Sequence, residues 1–529
     1  MSPSLLAGIH RAVARQGERP AILGAKALSY EALWALSGQV AAWLSDRGYG
    51  KGQRLALYAP NGSEFVVLYL AILRAGAVVV PVNLLIQLPE IAHVLSDSGA
   101  SAVLVHAGLL PKIDEALALM DEPTPRRHPF DDLPTVAAGL ADFLGDASSS
   151  PPSLIEDSSD DLAAILYTSG TTGFPKGAML SHGNLGSNVR AVIEALEWSE
   201  GAERILVVLP MFHAFAATVG VLAPLTQGCA LIPLARFEPQ GLCEAVQQLR
   251  ATVFLGVPSM FNLLLRLPTA FDQSLASLRY AVSGGAALPP SVLEAFEQKF
   301  HVPILEGDGP TECSPVTCVN PPRGPRKPGT VGLPIPGVAM CILDEAGETC
   351  ADGVVGEVAV RGPNVMKGYW RRPEETAAVM KGDWFLTGDL GTRDGEGYFS
   401  LIDRKKDLIL VNGMNVYPRM IEDVLRLDED ILDAAVVGLS DPRHGEVPVA
   451  FLVSRSGTVD SAKLRRHCRK HLGPHQTPRQ FHVLEALPRN AGGKVLKRAL
   501  RNQGELERGV ALRLGGSPDF KGDPSPAEG

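Results

Sequence analysis

A chain of 529 residues is about three and a half domain lengths, and its 46% hydrophobic and 20% charged residues match a folded globular protein. A disordered polymer, a collagen-like fibre and a coiled-coil rod are excluded, and a net charge of −9 offers no general attraction for nucleic acid. Seven cysteines, an odd number without CxxC spacing, exclude a disulfide scaffold and fit reduced thiols in the cytoplasm.

In chain order, Met1–Val13 lacks the apolar core of a secretory signal, because His10 and Arg11 follow Leu5 and Leu6. From Ala21 to Val105, apolar runs (Leu55–Tyr58, Ala77–Val82, Ala102–Val105) alternate with helix-like stretches such as Glu64–Leu73, the pattern of an α/β fold. Ala147–Pro152 reads as a surface linker, and the alternation resumes at Leu162 and continues to about Gly309. Between Arg204 and Arg236 lie 31 residues without formal charge, long enough to span a bilayer. Pro210, Gly220, Pro224, Gly228 and Pro233 break that run, so buried strands and a short helix are expected there instead of a transmembrane segment.

From Gly329 to Asp403 glycines at 332, 337, 347, 356 and 362 separate short strands, which predicts a small β-rich subdomain. Beyond Asp403 the pattern predicts a compact unit with a strand at Leu408–Val411. A helix carrying Ile421, Val424 and Leu425 follows, then strands at Ala434–Leu439 and Pro448–Val453 and a helix from Ser461 to Leu472. The expected fold is α/β. A large N-terminal domain, residues 1–402, contains α/β subdomains near 1–160 and 161–328 and the β-rich one at 329–402. A small α+β domain, residues 403–503, and a flexible tail, 504–529, complete the chain.

Charge is divided unevenly. From Asp403 onward 21 basic side chains face 17 acidic ones, a balance of +4 that leaves −13 for the first 402 residues. Lys463–Arg501 holds 11 basic residues and one acid, Glu485. Such a stretch is either a solvated face or a surface that meets a polyanionic small molecule.

The strongest local signal is Tyr167-Thr168-Ser169-Gly170-Thr171-Thr172-Gly173-Phe174-Pro175-Lys176-Gly177. The apolar run Leu162–Tyr167 feeds it, and Val189, Val192, Ile193 and Leu196 mark an amphipathic helix after it. Its glycines let successive N–H groups converge on an anion, and its hydroxyls and Lys176 complete a phosphate cradle. It is not a Walker A loop, because Gly177 stands where that motif has Ser or Thr.

This loop resembles the signature of the adenylate-forming, or AMP-binding, superfamily, which contains acyl-CoA synthetases, luciferases and peptide-synthetase adenylation domains. Further segments match in the family's order: Pro210-Met211-Phe212-His213, Glu306 to Glu312, Thr387-Gly388-Asp389, Asp403-Arg404-Lys405-Lys406-Asp407 and Pro488 to Lys494. The resemblance covers the chain to about Leu500, points to the fatty-acid–CoA ligase branch, and implies ATP, Mg²⁺ and CoA. It implies that Thr168, Ser169, Gly170, Thr171, Thr172, Gly173 and Lys176 hold phosphates, that Glu312 ligates Mg²⁺, and that Thr311 bonds a phosphate oxygen. Gly285, Ala286, Glu306, Gly307 and Asp308 complete the implied nucleotide site, with Asp389 and Arg404 at the ribose. Lys494 is the implied catalytic lysine of a mobile C-terminal domain, Lys406 its hinge, and Gly413 the turn that meets the CoA pantetheine.

The implied acid pocket takes Phe212, His213, Val257, Gly284 and Gly307. Its stretches are largely apolar, with no acidic residue in 212–219 to pair a substrate ammonium, so an amino acid is disfavoured. The expected substrate is a medium- or long-chain fatty acid, with an aryl acid second. Asp308 departs from the family pattern, which has an aromatic residue there to stack on adenine. It accepts from the adenine amino group or, in the alternative, from the two donors of guanine. Two other functions stay open at this point: loading a carrier-protein phosphopantetheine, and a catalytically silent nucleotide-binding regulator. A homodimer and peripheral membrane contact are also left open.

Overall fold

The computed structural model describes residues 5–121, 124–144, 159–168, 174–489 and 495–513. The chain forms two compact units, residues 1–387 with 391–401 and residues 388–390 with 402–529. The expected linker at Ala147–Pro152 and the tail beyond residue 513 lie outside the described residues.

In the first unit the apolar runs become strands covered on both faces. One sheet has six strands in the order Arg126–Phe130, Ala102–His106, Arg54–Tyr58, Val78–Pro81, Leu162–Thr168 and Lys176–Ser181. All its pairings are parallel except the last. Helix Ser63–Arg74 is apolar around its whole circumference, and all its residues are buried. Its two charged ends are compensated. Glu64 pairs with Lys26 Nζ at 2.5 Å, and the Arg74 guanidinium donates to Ser37 Oγ at 2.8 Å while lying 3.7 Å from the Trp34 ring centroid.

The second sheet has nine strands, ordered Leu333–Pro334, Cys318–Val319, Ile304–Asp308, Tyr280–Ser283, Val253–Gly256, Arg204–Val207, Ala230–Pro233, Pro20–Ile22 and Leu28–Ser29. Its middle is parallel and its two ends are antiparallel. The uncharged run between Arg204 and Arg236 supplies two of these strands, joined by a π-helical turn Ala216–Leu222 and a short helix Ala223–Gln227. No described helix is long and apolar enough to cross a membrane.

The two sheets exchange chain segments. The N-terminal hairpin Pro20–Ser29 joins the sheet built from residues 204–334, while strands Leu162–Thr168 and Lys176–Ser181 join the sheet built from 54–130. Only long-range pairing sets this, such as Ile22 beside Leu231 and Val79 beside Ala164. Glycine-separated strands Ala339–Leu343, Gly356–Arg361, Met380–Lys381, Trp384–Arg393 and Phe399–Arg404 form the small β-rich sheet.

The second unit is built on a sheet ordered Met414–Val416, Ile409–Val411, Gly445–Ser454 and Ile431–Asp441, with Gln480–Val483 parallel to Gly445–Ser454. Helices Pro418–Leu425 and Ser461–His471 bury Ile421, Leu425, Leu464 and Cys468 in one core with Val436 and Leu452.

Helix His182–Ala195 begins with a capping box in which Ser181 Oγ accepts from the Asn184 amide at 3.1 Å, and the Asn184 side chain returns a bond to the Ser181 amide. His182, its first residue, is buried, and burial lowers its pKa from 6.5 to about 4. The unfolded chain therefore takes up a proton as pH falls through 6.5, and the folded chain refuses it until about pH 4. Stability is lost across that window, by about 3 kcal/mol for this residue. Urea titrations at pH 7 and pH 4.5 are expected to show a smaller loss for His182→Gln than for the parent protein; equal losses would refute the assignment.

Candidate active site

The glycine-rich loop joins two antiparallel strands. Leu162–Thr168 enters it and Lys176–Ser181 leaves it, with Thr168 directly opposite Lys176. Sequence reasoning placed a helix after the loop. That helix starts only at His182, after a strand whose run Gly177-Ala178-Met179-Leu180 is too short and mixed to announce itself. Gly177 is required there, since a Cβ would stand 2.6 Å from Ile165 Cγ2 on the facing strand. Ser169, Gly170, Thr171, Thr172 and Gly173 lie outside the described residues.

The strand after the loop is flanked on its other side by residues 367–370. The Met179 amide donates to Gly368 O at 2.9 Å, and the Trp370 amide to Gly177 O at 2.7 Å. This pairing brings Tyr369 to Lys176, whose Nζ lies 5.4 Å from the ring centroid. The Tyr369 hydroxyl donates to Glu312 Oε1 at 2.8 Å. Burial, followed by the nearby Glu312 carboxylate, pushes the Tyr369 pKa up, so the phenol stays a donor. Lys176, Tyr369 and Glu312 thus form one cluster. Sequence reasoning found the first and last of these and missed the tyrosine, which belongs to none of the matched motifs; its signal is the Gly368-Tyr369-Trp370 run before Pro373.

The remaining first-unit candidates gather at one edge of the nine-stranded sheet. Strands Arg204–Val207, Val253–Gly256, Tyr280–Ser283 and Ile304–Asp308 are parallel neighbours, with Val207 beside Leu255, Gly256 beside Ser283 and Ser283 beside Glu306. Phe212, His213, Val257, Gly284, Gly285, Ala286, Gly307, Asp308, Thr311 and Glu312 all follow or end these strands. The C-terminal edge of a parallel sheet is where such folds bind ligands. Glu306 Oε1 accepts from the Leu288 amide at 2.9 Å and so fixes the turn containing Gly285, which has φ +77°. A Cβ at Gly284 would lie 3.2 Å from Phe215 Cε1, which packs the aromatic ring against this turn. The Asp308 carbonyl accepts from the Thr317 amide and hydroxyl, both at 3.0 Å.

The turn Thr311–Cys313 is clamped from outside. Asn364 Nδ2 donates to Cys313 O at 2.9 Å, Asn188 Nδ2 to Val316 O at 2.7 Å, and the Met366 amide to Glu312 O at 2.7 Å. His213 Nε2 is sealed from solvent and finds no partner among the described residues. Burial lowers its pKa to about 4, so the imidazole is neutral at pH 7.

In the second unit, Asp389 and Arg404 form an ion pair of 2.6 Å, with the carboxylate nearly buried. The Asp403 carboxylate accepts from the Arg404 and Arg419 amides, each at 2.8 Å, and so fixes the strand end that carries the guanidinium. Lys406 sits in the short turn Lys405–Asp407. Gly413 and Asn412 have φ +77° and +52° at the tip of a two-residue hairpin, the geometry that favours Asn-Gly. Lys494 lies outside the described residues.

Comparison with known proteins bears on this arrangement. Residues 9–370 match the AMP-binding enzyme family, and residues 420–494 match the AMP-binding enzyme C-terminal domain. The chain belongs to the AMP-binding enzyme family. A long-chain-fatty-acid–CoA ligase of Bacillus subtilis is 34% identical over 502 residues, covering 90% of each chain. A feruloyl-CoA synthase of Amycolatopsis is 36% identical over 482 residues, covering 91% of this chain and 94% of its own. The crystal structure of ATP-bound MatB from Rhodopseudomonas palustris superposes with a TM-score of 0.87 at 33% identity, covering 95% of this chain and 99% of that one.

As an AMP-binding enzyme of the acyl-CoA synthetase branch, the protein is an adenylate-forming acid–CoA ligase that works with ATP, Mg²⁺ and CoA. Its residues suit the ion. Among the described residues no cluster of three or more His, Cys, Asp or Glu holds a metal unaided, and Glu312 is a single oriented carboxylate. A hard cation that keeps water and phosphate oxygens as ligands fits that donor set.

Proposed function

We propose that the protein joins a medium- or long-chain fatty acid to the α-phosphate of ATP, releasing pyrophosphate. The acyl group then passes from acyl-AMP to the CoA thiol, and AMP leaves. The observation that carries the acid class is the composition of the wall at residues 212–219 with Val257 and Gly284. It is largely apolar and made mostly of small side chains, and its one ionisable group, His213, is neutral. An ammonium or a second carboxylate entering it would meet no counter-charge.

Carboxylate and triphosphate repel each other, so their approach needs fixed positive charge. In this reading Thr168, the loop of Ser169, Gly170, Thr171, Thr172 and Gly173, and Lys176 hold the outer phosphates, with Thr311 on a further phosphate oxygen. Glu312 would hold Mg²⁺, which supplies charge neutralisation at the phosphates. Gly285, Ala286, Glu306, Gly307 and Asp308 border the base, Asp389 and Arg404 the ribose. Lys494 neutralises the oxygen that bridges acid and α-phosphate, Lys406 is the hinge of residues 403–503, and Gly413 admits the pantetheine arm. A cytoplasmic setting belongs to the same reading and is supported by seven free cysteines.

A second reading, an aryl acid, is favoured by a different observation. Thr218 Oγ1, Ser283 Oγ and His213 Nε2 are buried polar atoms without a partner among the described residues, and ring hydroxyl or methoxy groups would supply one. The 36% identity to a feruloyl-CoA synthase supports it as well. A panel of C8–C18 fatty acids and hydroxycinnamic acids, assayed for AMP release with and without CoA, separates the two. The expected outcome is CoA-dependent turnover with the highest kcat/KM on fatty acids. Preference for hydroxycinnamates replaces the first reading with the second, and pyrophosphate exchange with none of these acids refutes both.

A further inference from the structure

Lys176 is held by more than its hairpin. Its ammonium forms an ion pair with Glu375 Oε2 against the face of Tyr369. Glu375 belongs to the one-and-a-half-turn helix Pro373–Ala378, and Thr376 ties that helix to the cluster by accepting the Tyr369 amide on Oγ1 at 2.9 Å. A Cβ at Gly368, which has φ +127°, would stand 2.8 Å from Thr376 Cγ2, so the approach of helix to strand depends on glycine. The other Glu375 oxygen faces a second cation, Arg372 Nη1 at 3.6 Å, and Arg372 Nη2 lies 3.8 Å from Asp97 Oδ1. The side chains of Lys176 and Glu375 keep 20% and 33% of their exposure. The pair is thus shielded enough to persist and open enough to exchange.

We propose that Glu375 is a positioning residue that holds the Lys176 ammonium in competition with the nucleotide phosphates and passes to Arg372 when they bind. This rests on the reading that Lys176 contacts those phosphates. The carboxylate keeps the lysine from wandering and from collapsing onto Glu312, and it lowers apparent nucleotide affinity by the fraction of molecules in which the pair is closed. Arg372 makes the exchange favourable, because the released carboxylate finds a cation already beside it. Near a triphosphate, an unreleased carboxylate would add like-charge repulsion.

Calorimetric titration with the magnesium complex of α,β-methylene-ATP tests this without knowledge of the acid. Glu375→Gln is expected to tighten binding by about twofold to fivefold, the range of a partly exposed ion pair, and the gain shrinks at high salt. Arg372→Met is expected to weaken binding by a similar factor and to have no effect when Glu375 is already Gln. A purely structural role moves thermal stability and gives neither the opposite signs nor the loss of the Arg372 effect in the double variant. Lys176→Met separates the two layers. If it leaves affinity unchanged, the phosphate role of Lys176 fails and the proposal falls with it. If it weakens binding while Glu375→Gln does not tighten it, the phosphate role stands and the proposal about Glu375 is overturned.

Discussion

Glu312→Gln is expected to fold normally and to lose about 10²–10³-fold in acid-dependent pyrophosphate release. The amide oxygen of glutamine can still accept from the Tyr369 hydroxyl, which now meets Glu312 Oε1 at 2.8 Å, and the turn around it stays clamped by Asn364 and Met366. What disappears is the negative charge that, in the proposed reading, draws Mg²⁺ to the phosphates. Thermal unfolding near that of the parent, together with partial rescue by raised Mg²⁺, is the expected signature. Activity within threefold of the parent, about 0.7 kcal/mol in barrier, would remove Glu312 from the ion site. Tyr369→Phe withdraws only the hydrogen bond that orients the carboxylate, and a smaller loss of about 10-fold is expected.

Gly309→Ala is expected to be the most damaging single methyl in this part of the chain. A Cβ there would stand 1.8 Å from the Pro315 carbonyl oxygen and 2.5 Å from its carbon, both backbone atoms. Neither can rotate away as a side chain would, so the backbone at Gly309 and the Pro315–Val316 segment must move apart. Pro315 is itself fixed by its neighbours, Ser314 Oγ donating to Asn364 O at 2.8 Å and the Val316 carbonyl accepting from Asn188. A loss of about 3 kcal/mol in stability, with loss of nucleotide binding, is expected from urea unfolding and calorimetry. Gly324→Ala is the control. Its φ is +100°, but nothing lies within 4 Å of the added Cβ, so a cost of about 1 kcal/mol is expected. A loss at Gly309 no greater than that at Gly324 would show that the Pro315 carbonyl does not constrain this position.

Much of the candidate site was legible because its chemistry needs particular residue types close together in the chain. Lys176, the Glu306–Glu312 run and the Gly413 turn were each marked by a local motif, and at Gly413 the structure adds two successive positive φ angles, at Asn412 and Gly413. The Asp389–Arg404 pair was also reachable, since both lie in motifs matched for their own reasons. Tyr369 and Glu375 were not. A tyrosine and a glutamate become significant only by standing beside Lys176, and they do so through pairing of residues 367–370 with the strand after the loop.

The order of motifs, the alternation of apolar runs and the breakers inside the uncharged stretch by themselves determined an α/β chain of the AMP-binding kind with a small domain at its end. The tertiary structure decided which strands are neighbours, hence that Phe212, Val257, Gly284 and Glu306 share one sheet edge and that residues 20–29 and the strands Leu162–Thr168 and Lys176–Ser181 cross into each other's half of the first unit. The reason is physical. Local periodicity reports which face of an element is buried, whereas strand order is set by hydrogen bonds between segments far apart in sequence, and those leave no trace in the spacing of residues.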